Sequence, residues 1–248
     1  MRIAYGNLID DINSANVVAS SEDSNYPAAN VQEQRLAVKW LADSATAQTI
    51  TFDLGSAQSV QTLAVVSHNI SSAATIVAYG NSADIWTAPT VIESLTWNED
   101  IIMKFTSLYS QQFWRFSFSG LTEALEVGRI WIGPYVTIDP SSTQDFTVDV
   151  KNNDIVTFGK DRQKYASPGI QWREISLSFP PSYTSVTTVI RTFYESVGKH
   201  DSFIFANFDS LRTYPLVDPL YGSLSGDMEF KHQTRQRYSY DLKIVENR

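Results

Sequence analysis

The three histidines are the residues of this chain best suited to acid–base or metal chemistry, and none belongs to a recognisable site. His68, His200 and His232 lie far apart, and no two share a metal-binding spacing such as H-x-x-x-H. The chain has no cysteine, which excludes disulfides, thiolate nucleophiles and zinc–thiolate centres. We therefore predict neither a metal nor a cofactor.

Motifs for covalent catalysis and phosphate binding are also missing from the sequence. The glycines of the first half are isolated, so no phosphate-cradling loop is formed, and there is no G-x-S-x-G elbow. Adjacent carboxylates such as Asp10-Asp11 and Glu99-Asp100 are typical of solvated turns. A glycosidase needs two carboxylates about 5 to 10 Å apart, and the sequence leaves open whether distant residues form such a pair. We predict that the chain is not an enzyme, a glycan hydrolase being the least favoured alternative.

The charge of the chain is negative and unevenly distributed. The formal net charge is −8, and residues 1–135 carry 6 basic and 13 acidic side chains, against 13 and 14 in residues 136–248. An acidic surface is unsuited to a phosphate backbone, so we expect no nucleic-acid partner. No apolar run approaches the roughly 20 residues that span a bilayer, so we expect no membrane insertion. The N-terminus lacks the pattern of a secretory signal.

The elements that must position any site are mostly strands. Short runs of β-branched and aromatic residues recur along the first half, bounded by Gly, Ser, Asn or Pro, at 49–54, 62–66, 75–79 and 113–118. Turn residues near 133–145 and the change in charge predict a domain boundary at about residue 136. The predicted domains are 1–135 and 136–248.

The second half combines strands with one amphipathic helix. Strands are predicted at 154–158, 172–179, 202–207, 226–231 and 236–246. Apolar residues from Val186 to Val197 follow a helical stripe over 183–197, and Pro180-Pro181 should separate this helix from the preceding strand. The predicted fold class is mainly β: an N-terminal jelly-roll β-sandwich, then a β-sandwich domain with one amphipathic helix.

An ordered set of motifs in residues 5–135 resembles the discoidin, or galactose-binding-like, family. These are YPAAN at 26–30, QTITFDLG at 48–55, VQTLAVVSH at 60–68, NSADIW at 81–86, FWRFSF at 113–118 and RIWIG at 129–133. The resemblance implies a jelly roll whose ligands bind on loops at one end. By position, the implied ligand-binding residues are Asn25, Tyr26, Arg35, Trp40, His68, Asn69 and Trp86. The alternative for the aromatic residues is that they fill the core.

The succession of strands, helix and closing hairpin in residues 136–248 resembles the sandwich-plus-helix domain of bacteriophage distal and minor tail proteins. That resemblance implies a homo-oligomeric ring, a hexamer being one option, with tail-tube and baseplate-hub proteins as partners. The two-proline run at 214–221 is a poor central strand, so we expect an exposed loop. The predicted interface comprises Leu216, Leu220, Tyr221, Arg235 and Arg237; the alternatives are that the loop folds back on its own sandwich and the hairpin arginines are solvated.

These patterns favour a structural component of a phage tail tip, assembled in the host cytoplasm and located in the virion. Its outward jelly roll would bind a host-surface glycan or other tail proteins. The alternative is a soluble, non-catalytic carbohydrate-binding module protein.

Overall fold

The computed structural model describes residues 1–138, 145–158, 162–206, 219–234 and 237–248. The chain divides into two compact units, one of Ile3–Val136 and one of Met1–Arg2 with Thr137–Arg248. The predicted fold class is confirmed, because the described residues are mainly strand, in antiparallel sandwich-like sheets, with one α-helix.

The N-terminal unit is a two-layer antiparallel sandwich. Its elements in chain order are the 3₁₀ helix η1 (Ser14–Asn16), β2 (Val17–Ala19), the 3₁₀ helix η2 (Ala28–Gln32), β3 (Trp40–Leu41), β4 (Gln48–His68), β5 (Thr75–Asn81), β6 (Val91–Leu95), β7 (Ile101–Ser119) and β8 (Glu126–Gly133). The short strands β1 (Arg2–Ala4) and β9 (Val136–Thr137) lie where the chain divides between the two units, and they are outside the sandwich sheet. The sequence predicts separate strands at 49–54 and 62–66, whereas both belong to the single long strand β4.

Strands β4 and β7 run together through both layers. Their pairing shifts register between Asp53 and Gln58, where Gly55 adopts a positive φ of 74° that suits glycine. Residues 48–53 and 113–119 join β2, β5 and β6 in a front sheet, and residues 58–68 and 101–111 join β3 and β8 in a back sheet. The bend in this strand pair therefore closes the sandwich at one end.

Alternating side chains of the front sheet fill the core between the layers. Ile50 and Phe52 of β4 and Trp114, Phe116 and Phe118 of β7 are fully buried. The residues between them face outward and are mostly polar. This period-2 pattern fixes which side chains line the outer face.

The C-terminal unit contains β10 (Asp145–Asn152), β11 (Ile155–Phe158), β12 (Lys164–Ser167), β13 (Gln171–Tyr183), α1 (Thr184–Val197), β14 (Phe203–Ala206), β15 (Leu220–Leu224), β16 (Lys231–Thr234) and β17 (Arg237–Glu246). Among these strands the sheet order is β10-β13-β17-β15-β14, with β16 also paired to β17, while β11 and β12 form a separate hairpin. Ile190 and Phe193 bury one face of the predicted helix.

Two predictions for this unit are wrong in detail. Pro180 and Pro181 do not end the strand, because β13 passes through them with a register shift opposite β17 between Phe179 and Ser182. A shift of this kind accommodates residues that cannot donate a ladder hydrogen bond. The strand predicted at 226–231 instead occupies Lys231–Thr234.

Candidate functional site

The strand register places four loops at the end of the N-terminal unit opposite the β4–β7 bend. Leu95 pairs with Ile76 and Ser119 with Thr75, so these strand ends lie level. We call this the loop end; it comprises residues 20–47, 69–74, 96–100 and 120–125. The loop of residues 82–90 lies at the opposite end, where Asn81 pairs with Phe113.

Trp97 is an exposed aromatic residue of the loop end whose side chain is held by a hydrogen bond. Its indole Nε1 donates to the Ile70 carbonyl at 2.7 Å, and the residue keeps 37% of its surface exposed. Asn98 beside it accepts hydrogen bonds through its side-chain oxygen from the backbone N–H groups of Asp100 and Ile101. The loop therefore presents an aromatic ring in a fixed position, although the sequence prediction missed it. The available signal was a tryptophan within a run of polar turn residues.

His68 supports this loop through both of its ring nitrogens. Its Nδ1 accepts from the Ile70 N–H at 3.1 Å, so the ring proton resides on Nε2, which donates to the Asn98 carbonyl at 3.1 Å. Burial lowers the pKa of His68, outweighing the hydrogen bond to Asn98 and the charge of Asp100, which raise it. Both ring nitrogens of His68 therefore bond backbone groups of this loop, and its ligand-binding role stays a prediction.

Asn69 has a similar supporting role. Its amide nitrogen donates to the Ala124 carbonyl at 2.7 Å, and its amide oxygen accepts from the Glu126 N–H at 2.9 Å. These bonds fix the loop of residues 120–125 against the end of β4. The Asn69 side chain thus orients its neighbours, and its ligand-binding role stays a prediction.

Trp40 belongs to the core, which corrects its assignment as a ligand-binding residue. The side chain is fully buried, packs edge-on against Phe118 with centroids 6.3 Å apart, and donates from Nε1 to the Ser21 carbonyl at 3.1 Å. A ring with no exposed surface cannot stack on a sugar. The core-filling alternative is the correct one at this position.

Three other predicted residues lie at the loop end with accessible surface. Tyr26 and Asn25 are exposed, and the Asn25 N–H donates to the Asp23 carboxylate at 2.8 Å. Arg35 is exposed and pairs with Glu33 at 3.3 Å. Their ligand-binding roles stay predictions.

Trp86 lies at the opposite end of the unit and does not join the other predicted residues. Its Nε1 donates to Asp84 at 2.5 Å, and the Arg115 guanidinium carbon lies 4.4 Å from its ring centroid. The N-terminal unit thus separates the predicted residues into a loop-end group and a distant tryptophan. Sequence order alone could not reveal that separation.

The loop end is strongly acidic. Its loops and the adjoining start of β8 contain eight carboxylates and only two cationic side chains. The carboxylates are Glu22, Asp23, Glu33, Asp43, Glu99, Asp100, Glu123 and Glu126, and the cations are Arg35 and Lys39. The resulting negative electrostatic potential disfavours the binding of anionic ligands. Neutral or cationic ligands fit this end better.

The predicted interface of the C-terminal unit is only partly described. Leu220 and Tyr221 are buried in β15, opposite Phe205 and Ile204 of β14, so the expected exposed loop is wrong for these two residues. Arg237 begins β17 and is exposed. Leu216 and Arg235 lie outside the described residues.

In the described ranges, no three His, Asp or Glu side chains group to hold a metal ion. No helix in the same ranges is long and apolar enough to cross a membrane.

No protein-family model and no curated protein matches the chain. Among solved structures, chitosan-binding module 1 of a chitosanase/glucanase from Paenibacillus sp. IK-5 is similar, with 18% identity and a TM-score of 0.41 over 52% of this chain and 100% of that one. The lectin domain of lectinolysin complexed with Lewis B antigen has 8% identity and a TM-score of 0.44 over 52% and 96%. A fucose-binding module from Streptococcus pneumoniae, SpX-3, has 10% identity and a TM-score of 0.43 over 53% and 100%. All three are carbohydrate-binding modules or lectin domains, and each covers about half of this chain.

Proposed function

We propose that this chain is a non-catalytic carbohydrate-binding protein whose N-terminal unit binds a glycan at the loop end. The observation that carries the proposal is the exposed ring of Trp97, fixed by its hydrogen bond to the Ile70 carbonyl. A rigid aromatic face offers apolar contact to the C–H face of a sugar at little entropic cost, since the ring is already ordered.

Polar groups next to Trp97 supply the rest of a sugar site. The amide nitrogen of exposed Asn98 makes no hydrogen bond to any described residue, and the carboxylate of exposed Glu99 is its neighbour. A donor and an acceptor beside an aromatic face match the alternating apolar and hydroxyl surfaces of a saccharide. The acidic loop end favours a neutral or cationic glycan over an anionic one.

The absence of catalysis is part of the proposal. His68 is the histidine of the N-terminal unit, and both of its ring nitrogens are used in backbone hydrogen bonds. It is therefore unable to exchange a proton with a substrate without losing the loop that it supports. Incubating the full chain with any glycan that it binds, and analysing the products by mass spectrometry, should show no cleavage.

A glycan array followed by calorimetry tests the binding site. The full chain should bind a short neutral or cationic saccharide on the array, and Trp97→Ala should weaken that binding at least about tenfold, the effect of losing one aromatic contact. Trp97→Phe keeps a ring and should retain most of the affinity. Leu108→Ala, an exposed apolar residue of β7 outside the loop end, is the control and should bind the saccharide like the wild type. Unchanged affinity in Trp97→Ala would refute the site.

A structural role in a bacteriophage tail is the second candidate, favoured by apolar surface on the C-terminal unit. Val150, Ile155, Val156 and Ile170 are exposed on β10, on β11 and before β13. The separate β11–β12 hairpin has two strands, an arrangement that is marginally stable alone in water. The proposed oligomer would join tail-tube and baseplate-hub proteins in the virion. Light scattering of the full chain should then show a stable oligomer. The double variant Ile155→Ser/Ile170→Ser should dissociate into monomers, and a wild-type monomer at every concentration would contradict the tail role.

A further inference from the structure

On the outer face of the front sheet, a row of five side chains crosses all five strands. The strand register places Val18 opposite Thr51, Thr51 opposite Arg115, Arg115 opposite Tyr79 and Tyr79 opposite Ile92. We call these five residues the sheet-face row. Four steps between strands of about 4.8 Å make the row about 19 Å long, longer than a single sugar ring.

Arg115 is held at the centre of this row by three contacts. Its Nε donates to the Thr51 hydroxyl at 2.9 Å, and its guanidinium lies over the Trp86 ring at 4.4 Å. The Asp84 carboxylate lies 3.8 Å from Nη2, too far for a hydrogen bond but close enough to offset the charge. Nη1 and Nη2 make no hydrogen bond to any described residue. The guanidinium is therefore oriented and retains unused donors.

A second row, two residues further along each strand, consists mainly of hydroxyl side chains. It comprises Thr49, Ser117, Val77 and Ser94, paired in that order across β4, β7, β5 and β6. Within the described ranges, the three hydroxyls and that of Tyr79 have no protein hydrogen-bond partner. The sheet-face row is therefore flanked by donors and acceptors that no described residue uses.

The geometry points to a second glycan site on this face, which binds an extended, neutral oligosaccharide along the sheet-face row. Unused hydroxyls and guanidinium donors suit a ligand rich in hydroxyl groups, while Tyr79, Ile92 and Val18 offer apolar contact along the same line. Because Asp84 offsets the charge of Arg115 and the chain is acidic overall, an anionic glycan gains little attraction on this face. The inference rests on the proposed glycan-binding function but uses none of the loop-end residues.

Calorimetry with Trp97→Ala isolates this face. The probes are cellohexaose, chitohexaose and mannohexaose, with glucose, N-acetylglucosamine and mannose as their single-sugar counterparts. We expect Trp97→Ala to bind one of the hexasaccharides with a stoichiometry of about one and to bind none of the monosaccharides. Adding Tyr79→Ser or Arg115→Gln should weaken hexasaccharide binding at least about tenfold. Arg115→Lys keeps the charge without the guanidinium and should also weaken it.

A matched pair of surface variants controls for general effects. Ile92 and Leu108 are both 62% exposed, and only Ile92 lies in the sheet-face row. In the Trp97→Ala protein, Ile92→Ser should weaken hexasaccharide binding and Leu108→Ser should leave it unchanged, both with unaltered thermal unfolding.

The outcomes separate this inference from the proposed function. If Trp97→Ala loses all hexasaccharide binding that the wild type shows, the sheet-face site is wrong and the loop-end site stands. If Trp97→Ala binds every saccharide like the wild type and Arg115→Gln abolishes binding, the loop-end site is wrong and the sheet face stands. If Tyr79→Ser and Arg115→Gln abolish self-association in light scattering without changing glycan affinity, the face is a protein interface and the inference is overturned.

Discussion

Trp114 and Gly80 provide a direct test of the sandwich register. Trp114 is fully buried in β7, and its partner across the ladder in β5 is Gly80. A Cβ at Gly80 would lie 3.1 Å from Cη2 and 3.2 Å from Cζ3 of the Trp114 ring. The absence of a side chain at position 80 therefore makes room for the indole.

Each single substitution should destabilise the N-terminal unit by a different mechanism. Trp114→Ala leaves a large cavity and should cost about 3 to 5 kcal/mol of unfolding free energy. Gly80→Ala forces a methyl group against the ring and should cost about 1 to 3 kcal/mol. Trp114→Phe should cost less unfolding free energy than the loss of buried apolar area alone predicts. The reason is that the buried Nε1 of Trp114 has no hydrogen-bond partner among the described residues.

The double variant tests whether the two residues are in contact, because contacting residues have non-additive effects on unfolding free energy. In Gly80→Ala with Trp114→Phe, the new methyl group occupies space that the smaller ring vacates, so the cost should fall below the sum of the singles by about 1 kcal/mol. Urea unfolding followed by far-ultraviolet circular dichroism measures all four free energies, provided that each unit's transition is fitted separately. A cost below about 1 kcal/mol for Trp114→Ala, or strictly additive singles, would show that this register is wrong.

Three further predictions concern charges and packing. Burial alone would raise the pKa of Glu246, but its hydrogen bonds and ion pair with Arg173, at 2.6 Å, lower it below the usual 4.5. The Glu246 carboxylate thus contributes stability that is complete above pH 4.5 and is lost as the pH falls through the lower folded-state pKa. Glu246→Gln should cost about 3 kcal/mol in urea unfolding at pH 7, with the difference from the wild type shrinking below pH 4.5. The Tyr109 hydroxyl donates to Glu93 at 2.6 Å, which raises the pKa of Tyr109, so Tyr109→Phe should cost about 1 kcal/mol, and Glu93→Gln should lower the Tyr109 pKa in ultraviolet titration. Leu220→Asp should unfold the C-terminal unit, because the residue is fully buried; a folded unit with altered association would restore the exposed-loop prediction.

The sequence was sufficient to predict the class of fold. Alternation of apolar and polar residues at 48–54 and 113–118 specifies strands with one buried face, and the helical stripe from Val186 to Val197 specifies α1. Both signals are local, since a side chain's direction follows from its position in a strand or helix. Where strands continue or stop is less local, and so the fusion of two predicted strands into β4 and the passage of β13 through Pro180-Pro181 were missed.

The composition of the candidate site was decided by tertiary structure. Trp40 and Trp97 are both tryptophans between short apolar runs, yet one fills the core and the other remains exposed at the loop end. Their fates differ because burial depends on which strands lie opposite, and strand pairing joins residues far apart in the chain. The same reason separates Trp86 from His68 and brings Val18, Thr51, Arg115, Tyr79 and Ile92 into one row. The sequence alone determined which side chains were available for a site; long-range strand register determined which of them share a surface.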